Sequence, residues 1–461
     1  MASVVAMEAR VDGTRLTRKL IEHTQAIEWS KLPSDVCEVA RQCVLDWIGV
    51  ALAGSGDHLT SILLDDALAE GGKPLATVVG RGARVAPLQA ALVNGASSHV
   101  LDYDDVNLNL NGHPTAAILP ALLALAEVGR ADGRQLLASF VAGYELACRV
   151  GLLVAPGHYR RGYHATATVG SLGAAAACAH LLKLDPERAA HAIGIAATQA
   201  AGLKSMFGTE CKPFHAGLAS HNGLRAARLA AAGMVARPDA LECKQGFAST
   251  MSPDFNVKAA LDDLDKFLLL ENLFKYHASC YGTHATIECV REIRKSHSNA
   301  LAQDRIARVT VRVEPGADAV CNIPSPRTAL EAKFSLRFMA AAALAGADTS
   351  DLAFFNDART GDAALCALRD KVAVELVEDC PHMGADVAIE LKDGRTLRAT
   401  HDAGIPQRDY AHQGRRLKAK FERLAEPALG AERCRTLLQL TEALERTTVT
   451  ELMAACAGPK E

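Results

Sequence analysis

Three aspartates crowd into four positions, Asp102, Asp104 and Asp105, and eight residues later the stretch LDYDDVNLNLNGHP reaches His113. A carboxylate beside an imidazole orients the ring and raises its basicity, which suits proton transfer near neutral pH. The competing explanation is local: carboxylates favour the positive end of a helix, and an apolar helical run follows His113. Magnesium-type D-D-x-x-D chemistry is not expected, because no second acidic cluster has the matching spacing. A metal is therefore left out of the reading.

Two further stretches place imidazoles and lysines ahead of small-residue helices. In GHYRRGYHATATVGSLGAAAA, His164 and Thr166 open a run whose free amides could hold an anion. The dinucleotide-binding G-x-G-x-x-G spacing is missing. In GLKSMFGTECKPFHAG, Lys204, Lys212 and His215 precede another Ala-rich run without the G-K-[ST] of a phosphate loop. An ammonium near an apolar helix start is costly unless it meets an anion, so carboxylate capture by Lys212 is attractive, whereas Lys204 reads as surface. LFKYHASCYGTH holds Lys275, His277, Cys280 and His284 at spacings that fit no standard zinc site. Ten of the sixteen histidines fall between His99 and His284. Imidazoles and lysines without a cofactor motif can bind a small polycarboxylate and move a proton at the carbon α to a carboxylate.

Composition narrows the class. A chain of 461 residues suggests two domains, and 49% hydrophobic with 22% charged residues is a globular balance. The net charge of -3 offers no basic face for nucleic acid or an anionic membrane. Thirteen scattered cysteines without a C-x-x-C read as reduced thiols in a cytoplasmic protein. The first twenty residues do not read as a signal peptide, and no uninterrupted apolar stretch reaches spanning length.

The elements that must hold these residues are mostly helical. Apolar residues recur at three- and four-residue steps from about Thr14 to Ala53, with SDVCEVARQCVLDWIGVALAG starting at a capping Ser34. PLATVVGRGARVAP reads as a small hairpin, and helices then dominate to about residue 265. Beyond it, RIARVTVRVEP, KVAVELVED and ADVAIELKDGRTLRATHDAG alternate as strands, the last folded at an Asp-Gly turn, before a helical tail. The expectation is a mainly α protein: a large all-α domain from both chain ends (1–265 and 405–461) and an inserted α+β domain (266–404).

Taken together, LDYDDVNLNLNGHP, GYHATATVGSLGAA, FGTECKPFHAG and FKYHASC resemble the 2-methylcitrate dehydratase superfamily, the MmgE/PrpD group. CVLDWIGVALAG, EAKFSLRF and GRRLKAKFERLA extend the resemblance over essentially the whole chain. It implies a helical domain, an α+β lid and a cleft between them in a homodimer, acting on small di- or tricarboxylates without a metal or organic cofactor. By position, Asp102, His113, His164 and Lys212 match the family's catalytic aspartate, histidines and lysine. Lys275, His215 and Cys280 fall to substrate binding.

There are departures. Cys280 stands where decarboxylase members carry histidine, Val106 replaces a threonine of animal itaconate-forming enzymes, and Val320 falls near the position of their tyrosine. The resemblance therefore implies first a dehydratase-type lyase. An epimerase of an iminodisuccinate-like dicarboxylate comes next, and a cis-aconitate-type decarboxylase after it. The matching aspartate, histidines and lysine argue against a catalytically dead, dimeric binding protein, and a non-enzymatic helical scaffold would need none of these polar groups.

Overall fold

The computed structural model describes residues 15–297 and 301–459. The reading of residues 1–20, and the helical start at Thr14, lie up to residue 14 outside the described residues. The chain divides into two compact units, one made of residues 1–274 and 408–461 and the other of 275–407.

The main elements of the first unit, up to residue 274, are α1 (Leu16–Gln25), α2 (Ser34–Gly54), α3 (His58–Glu70), a ribbon of β1 (Ala76–Thr77) and β2 (Arg84–Val85), α4 (Pro87–His99), α5 (Pro114–Gly129), α6 (Gly133–Val154), α7 (Ala165–Leu181), α8 (Pro186–Ala197) and α9 (Cys211–Ala231). Among the described residues these elements are helical except for the antiparallel ribbon at the expected hairpin. Ser34 is the first helical residue of α2 rather than its cap. Pro33 takes the cap position, and no side chain closes that helix start. The start of α6 is closed instead, because Asp132 accepts from the Gln135 amide and the Gln135 side chain accepts from the Asp132 amide.

Small residues govern how these helices meet. α7 packs against α5, α6 and α9, and α4 against α5 and α9. A Cβ on Gly173 of α7 would stand 2.8 Å from the Ala147 Cβ of α6. One on Gly95 of α4 would stand 2.8 Å from the Gly217 Cα of α9. Such approaches bring axes closer than larger side chains allow. α6 has the length and composition of a membrane span, which the sequence reading did not single out; 94% of its apolar window is buried in the bundle.

The second unit carries α10 (His284–His297), β3 (Ile306–Val313), α11 (Leu336–Ala345), β4 (Val372–Leu376), β5 (Gly384–Leu391) and β6 (Thr396–Asp402). Its sheet order is β4-β3-β5-β6, with β3 and β4 parallel and the other pairs antiparallel. The alternating runs expected as strands form this mixed sheet, and α10 packs on β5, β6 and α11.

The chain then returns to the first unit as α12 (Tyr410–Leu429), α13 (Ala431–Glu442) and α14 (Val449–Cys456). α12 lies along α2: Gln413 donates to Gln42 Oε1 at 2.7 Å, and Gln42 donates to the Tyr410 carbonyl at 2.9 Å.

The α4–α9 contact can be tested directly. A Cβ on Gly217 would clash with the Leu92 carbonyl. Gly217→Ala should lower stability by about 1–3 kcal/mol, read as a lower denaturant midpoint. An unchanged midpoint would show that the helices are not held that closely.

Candidate active site

Three helix starts deliver the polar side chains. His113 and His164 occupy the cap positions of α5 and α7, and Lys212 is the second residue of α9. The asparagine run between the aspartates and His113 is a turn. Asn107 and Gly112 exchange backbone hydrogen bonds, and the Asn107 amide group donates to Tyr144 Oη at 3.1 Å and the Leu268 carbonyl at 3.0 Å. Val106 bridges to Leu273 through two 2.8 Å backbone bonds. The His113 amide donates to Thr166 Oγ1 at 3.0 Å, tying the start of α5 to that of α7.

Asp102 sits in the left-handed region at φ 49°, unusual for a residue other than glycine. Its Oδ1 is 2.6 Å from Lys212 Nζ and 3.7 Å from His113 Nε2. The carboxylate closest to His113 belongs to Asp104, 3.0 Å from His113 Nδ1. The His99 Nδ1 lies 2.9 Å from the same carboxylate. Burial alone would raise the Asp104 pKa, but the His113 and His99 rings outweigh it and hold the carboxyl well below its ordinary value. For His99, burial dominates over Asp104 and lowers the pKa to about 4.

On the other side, the His164 and His215 Nδ1 atoms are 3.1 Å apart, so one ring donates the proton that the other accepts. Burial, and after it His99, Lys212 and His113, push the His164 pKa well below the usual imidazole value. Burial lowers that of His215 as well. Gly202, at φ 149°, passes its carbonyl to the His164 amide, and a Cβ there would stand 3.5 Å from His215 Nδ1 and 3.6 Å from His164 Cβ. Phe207 packs edge-on to His164 at 5.0 Å, with Lys212 Nζ 5.4 Å from its ring.

His113, His164, Asp102, Lys212 and His215 thus gather in the first unit. Lys275 and Cys280 belong to the second. There His277 bonds Thr349 at 2.7 Å and Glu288 at 3.1 Å, and Cys280 lies beside Cys321. Residue types and spacing had passed over His99 and Phe207; the five-residue step from His99 to Asp104 was the available signal. Lys204, read as surface, lies over the Tyr159 ring at 3.5 Å.

One donor from each of His99, Asp102, Asp104 and His113 falls within 4.8 Å of the others, a spacing that could admit a cation. Lys212 already places its ammonium on Asp102, and both imidazoles are turned to Asp104. The chemistry offered is that of a cation beside a buried acid–base array.

Asp105 has a different partner. It is fully buried and accepts from Thr115 Oγ1 at 2.5 Å, and burial raises its pKa to about 7. A carboxyl raised in the folded state destabilises it as pH climbs from the ordinary value through that raised one. Asp105→Asn keeps the acceptor for Thr115 and removes the titration. Its midpoint relative to wild type should therefore be more favourable at pH 8 than at pH 4.5. A pH-independent difference would contradict the raised pKa.

Two family models match the chain, the MmgE/PrpD N-terminal domain over residues 18–260 and the MmgE/PrpD C-terminal domain over 277–446. Among curated relatives, the cis-aconitate decarboxylase-like protein oryM of Aspergillus oryzae is 28% identical, over 96% of this chain and 97% of its own. The cis-aconitate decarboxylases of mouse and human are 27% and 26% identical. They align over 90% and 93% of this chain and 87% and 92% of theirs.

Proposed function

The chain belongs to the MmgE/PrpD family, and from that premise we propose that it is a lyase moving a proton at the carbon α to a carboxylate of a small di- or tricarboxylate. The observation that carries this reading is the gathering of Lys212, His113 and His99 on Asp102 and Asp104, with the His164 ring stacked 6.1 Å from that of His99. Lys212 holds a substrate carboxylate, where its charge also steadies the enolate-like density that forms as the α-proton leaves.

His164, kept neutral by burial and by neighbouring cationic groups, is the base. His113, between Asp102 and Asp104, is the acid. In dehydration His164 takes the α-proton, its electrons form the double bond as the carbon–oxygen bond breaks, and the hydroxyl leaves as water with a proton from His113. Neither step needs a metal or organic cofactor.

Decarboxylation is the second reading, favoured by the relatives named as cis-aconitate decarboxylases. The carbon–carbon bond to one carboxylate would break, carbon dioxide would leave, and an imidazole would protonate carbon. Val106, Cys280 and Val320 weigh against an itaconate-forming version. Epimerisation would use the same abstraction with return of the proton to the opposite face. The resemblance alone supports substrate binding by Lys275 and Cys280, a lid role for the second unit, a cytoplasmic homodimer, and partners limited to the substrate.

Turnover of 2-methylcitrate, citrate, cis-aconitate and iminodisuccinate separates these reactions, and inactivity on all four would overturn the lyase reading. On the active substrate, His164→Ala should cut kcat about 10²–10⁴-fold. Lys212→Met should raise KM about tenfold or more and lower kcat as well. Wild-type kinetics in both variants would remove these roles. Activity should survive exhaustive chelation, and loss restored by a divalent ion would refute the cofactor-free mechanism.

A further inference from the structure

Lys420, on α12, is fully buried beneath the aspartate loop and more than 300 positions from it in sequence. Its Nζ lies 2.6 Å from Asp46 Oδ1 of α2 and donates to the Tyr103 carbonyl at 2.7 Å. It also stands 4.0 Å from the centre of the Tyr103 ring. Tyr103 is the residue between Asp102 and Asp104, so one ammonium ties together α2, the loop and the C-terminal return of the chain.

A buried ion pair adds little to stability on its own. Desolvation of both ions often cancels their attraction, and an apolar pair of similar volume does as well or better. The third partner supplies the reason for a charge here. The loop must hold Asp102 in a left-handed conformation that persists only where its surroundings over-determine it. It must also keep Asp104 aimed at His99 and His113 and Asp102 aimed at Lys212. Lys212 anchors the loop through a side chain, and Lys420 anchors it through the backbone one residue later.

We propose that Lys420, paired with Asp46, is a positioning residue for the reaction: it fixes the Asp102–Asp104 backbone so that the two carboxylates meet Lys212 and His113 at working distances. It touches neither substrate nor reacting atoms. The consequence for kinetics rests on the lyase reading, whereas the consequence for the loop does not.

Two variants of the full-length protein test the inference. Lys420→Met should lower kcat about tenfold or more while KM stays within about threefold, the signature of an interaction that counts in the transition state. Hydrogen–deuterium exchange, read by mass spectrometry without any ligand, should speed up in peptides covering residues 101–113 and little elsewhere in the first unit. Because Lys420→Met takes the ammonium away from the buried Asp46 carboxylate, the double variant Asp46→Leu/Lys420→Met is the control. It should regain thermal stability and keep both the kcat loss and the fast-exchanging loop.

Recovery of kcat together with stability in the double variant would overturn the proposal, leaving the pair a packing feature. So would wild-type kcat in Lys420→Met, or exchange that rises evenly through the unit. If the wild-type protein turns over no polycarboxylate, the lyase reading fails, and the exchange result still decides whether Lys420 positions the loop.

Discussion

Asp104 carries its negative charge inside the protein, 2.9 Å from His99 and 3.0 Å from His113. A lone carboxylate taken out of water at such a depth costs several kcal/mol, and the cost falls only when well-placed partners surround it. Here two imidazoles do so, one from the end of α4 and one from the start of α5, and the loop between them bends far enough to bring both rings to one carboxylate. Its own backbone is then constrained on either side. Asp102 is forced into a left-handed turn that ends at Lys212, and Tyr103 is held from below by Lys420.

The helical bundle is what lets these pieces converge. α4, α5, α7 and α9 carry so many Ala and Gly residues that their axes pack at glycine-to-backbone distances. Three of them begin beside one another, at His113, His164 and Cys211. A helix start presents unpaired amides and the positive end of the dipole, which suits an anionic substrate. The chemistry thus sits at the positive ends of these helices, and the closeness of the packing keeps the imidazoles dry enough for His164 to remain neutral.

Much of this was readable from residue types. His113 precedes Pro114, His164 and Lys212 precede runs of small residues, and such residues open helices; the mixed sheet followed from alternating β-branched runs. What the sequence hid depended on distance and backbone conformation. His99 closes an apolar helix and looks structural until its ring is seen on Asp104. The division of labour between Asp102 and Asp104 follows from a positive φ that no local pattern announces. The partners of Lys420, Asp46 and Tyr103, are separated from it by most of the chain. Ser34 resembled a cap because serine commonly is one, yet Pro33 takes the cap position and Ser34 is the first helical residue.

Proton transfer at carbon α has a direct isotopic signature. With an active polycarboxylate in D2O, proton NMR and mass spectrometry should show the hydrogen at the carbon next to a carboxylate lost to solvent, missing from the alkene if water leaves and replaced by one solvent deuterium if the carbon is reprotonated. Neither change should occur when His164→Ala replaces the wild-type protein. Turnover that leaves every carbon-bound hydrogen in place, with no deuterium entering substrate or product, would contradict the acid–base reading of His164 and His113.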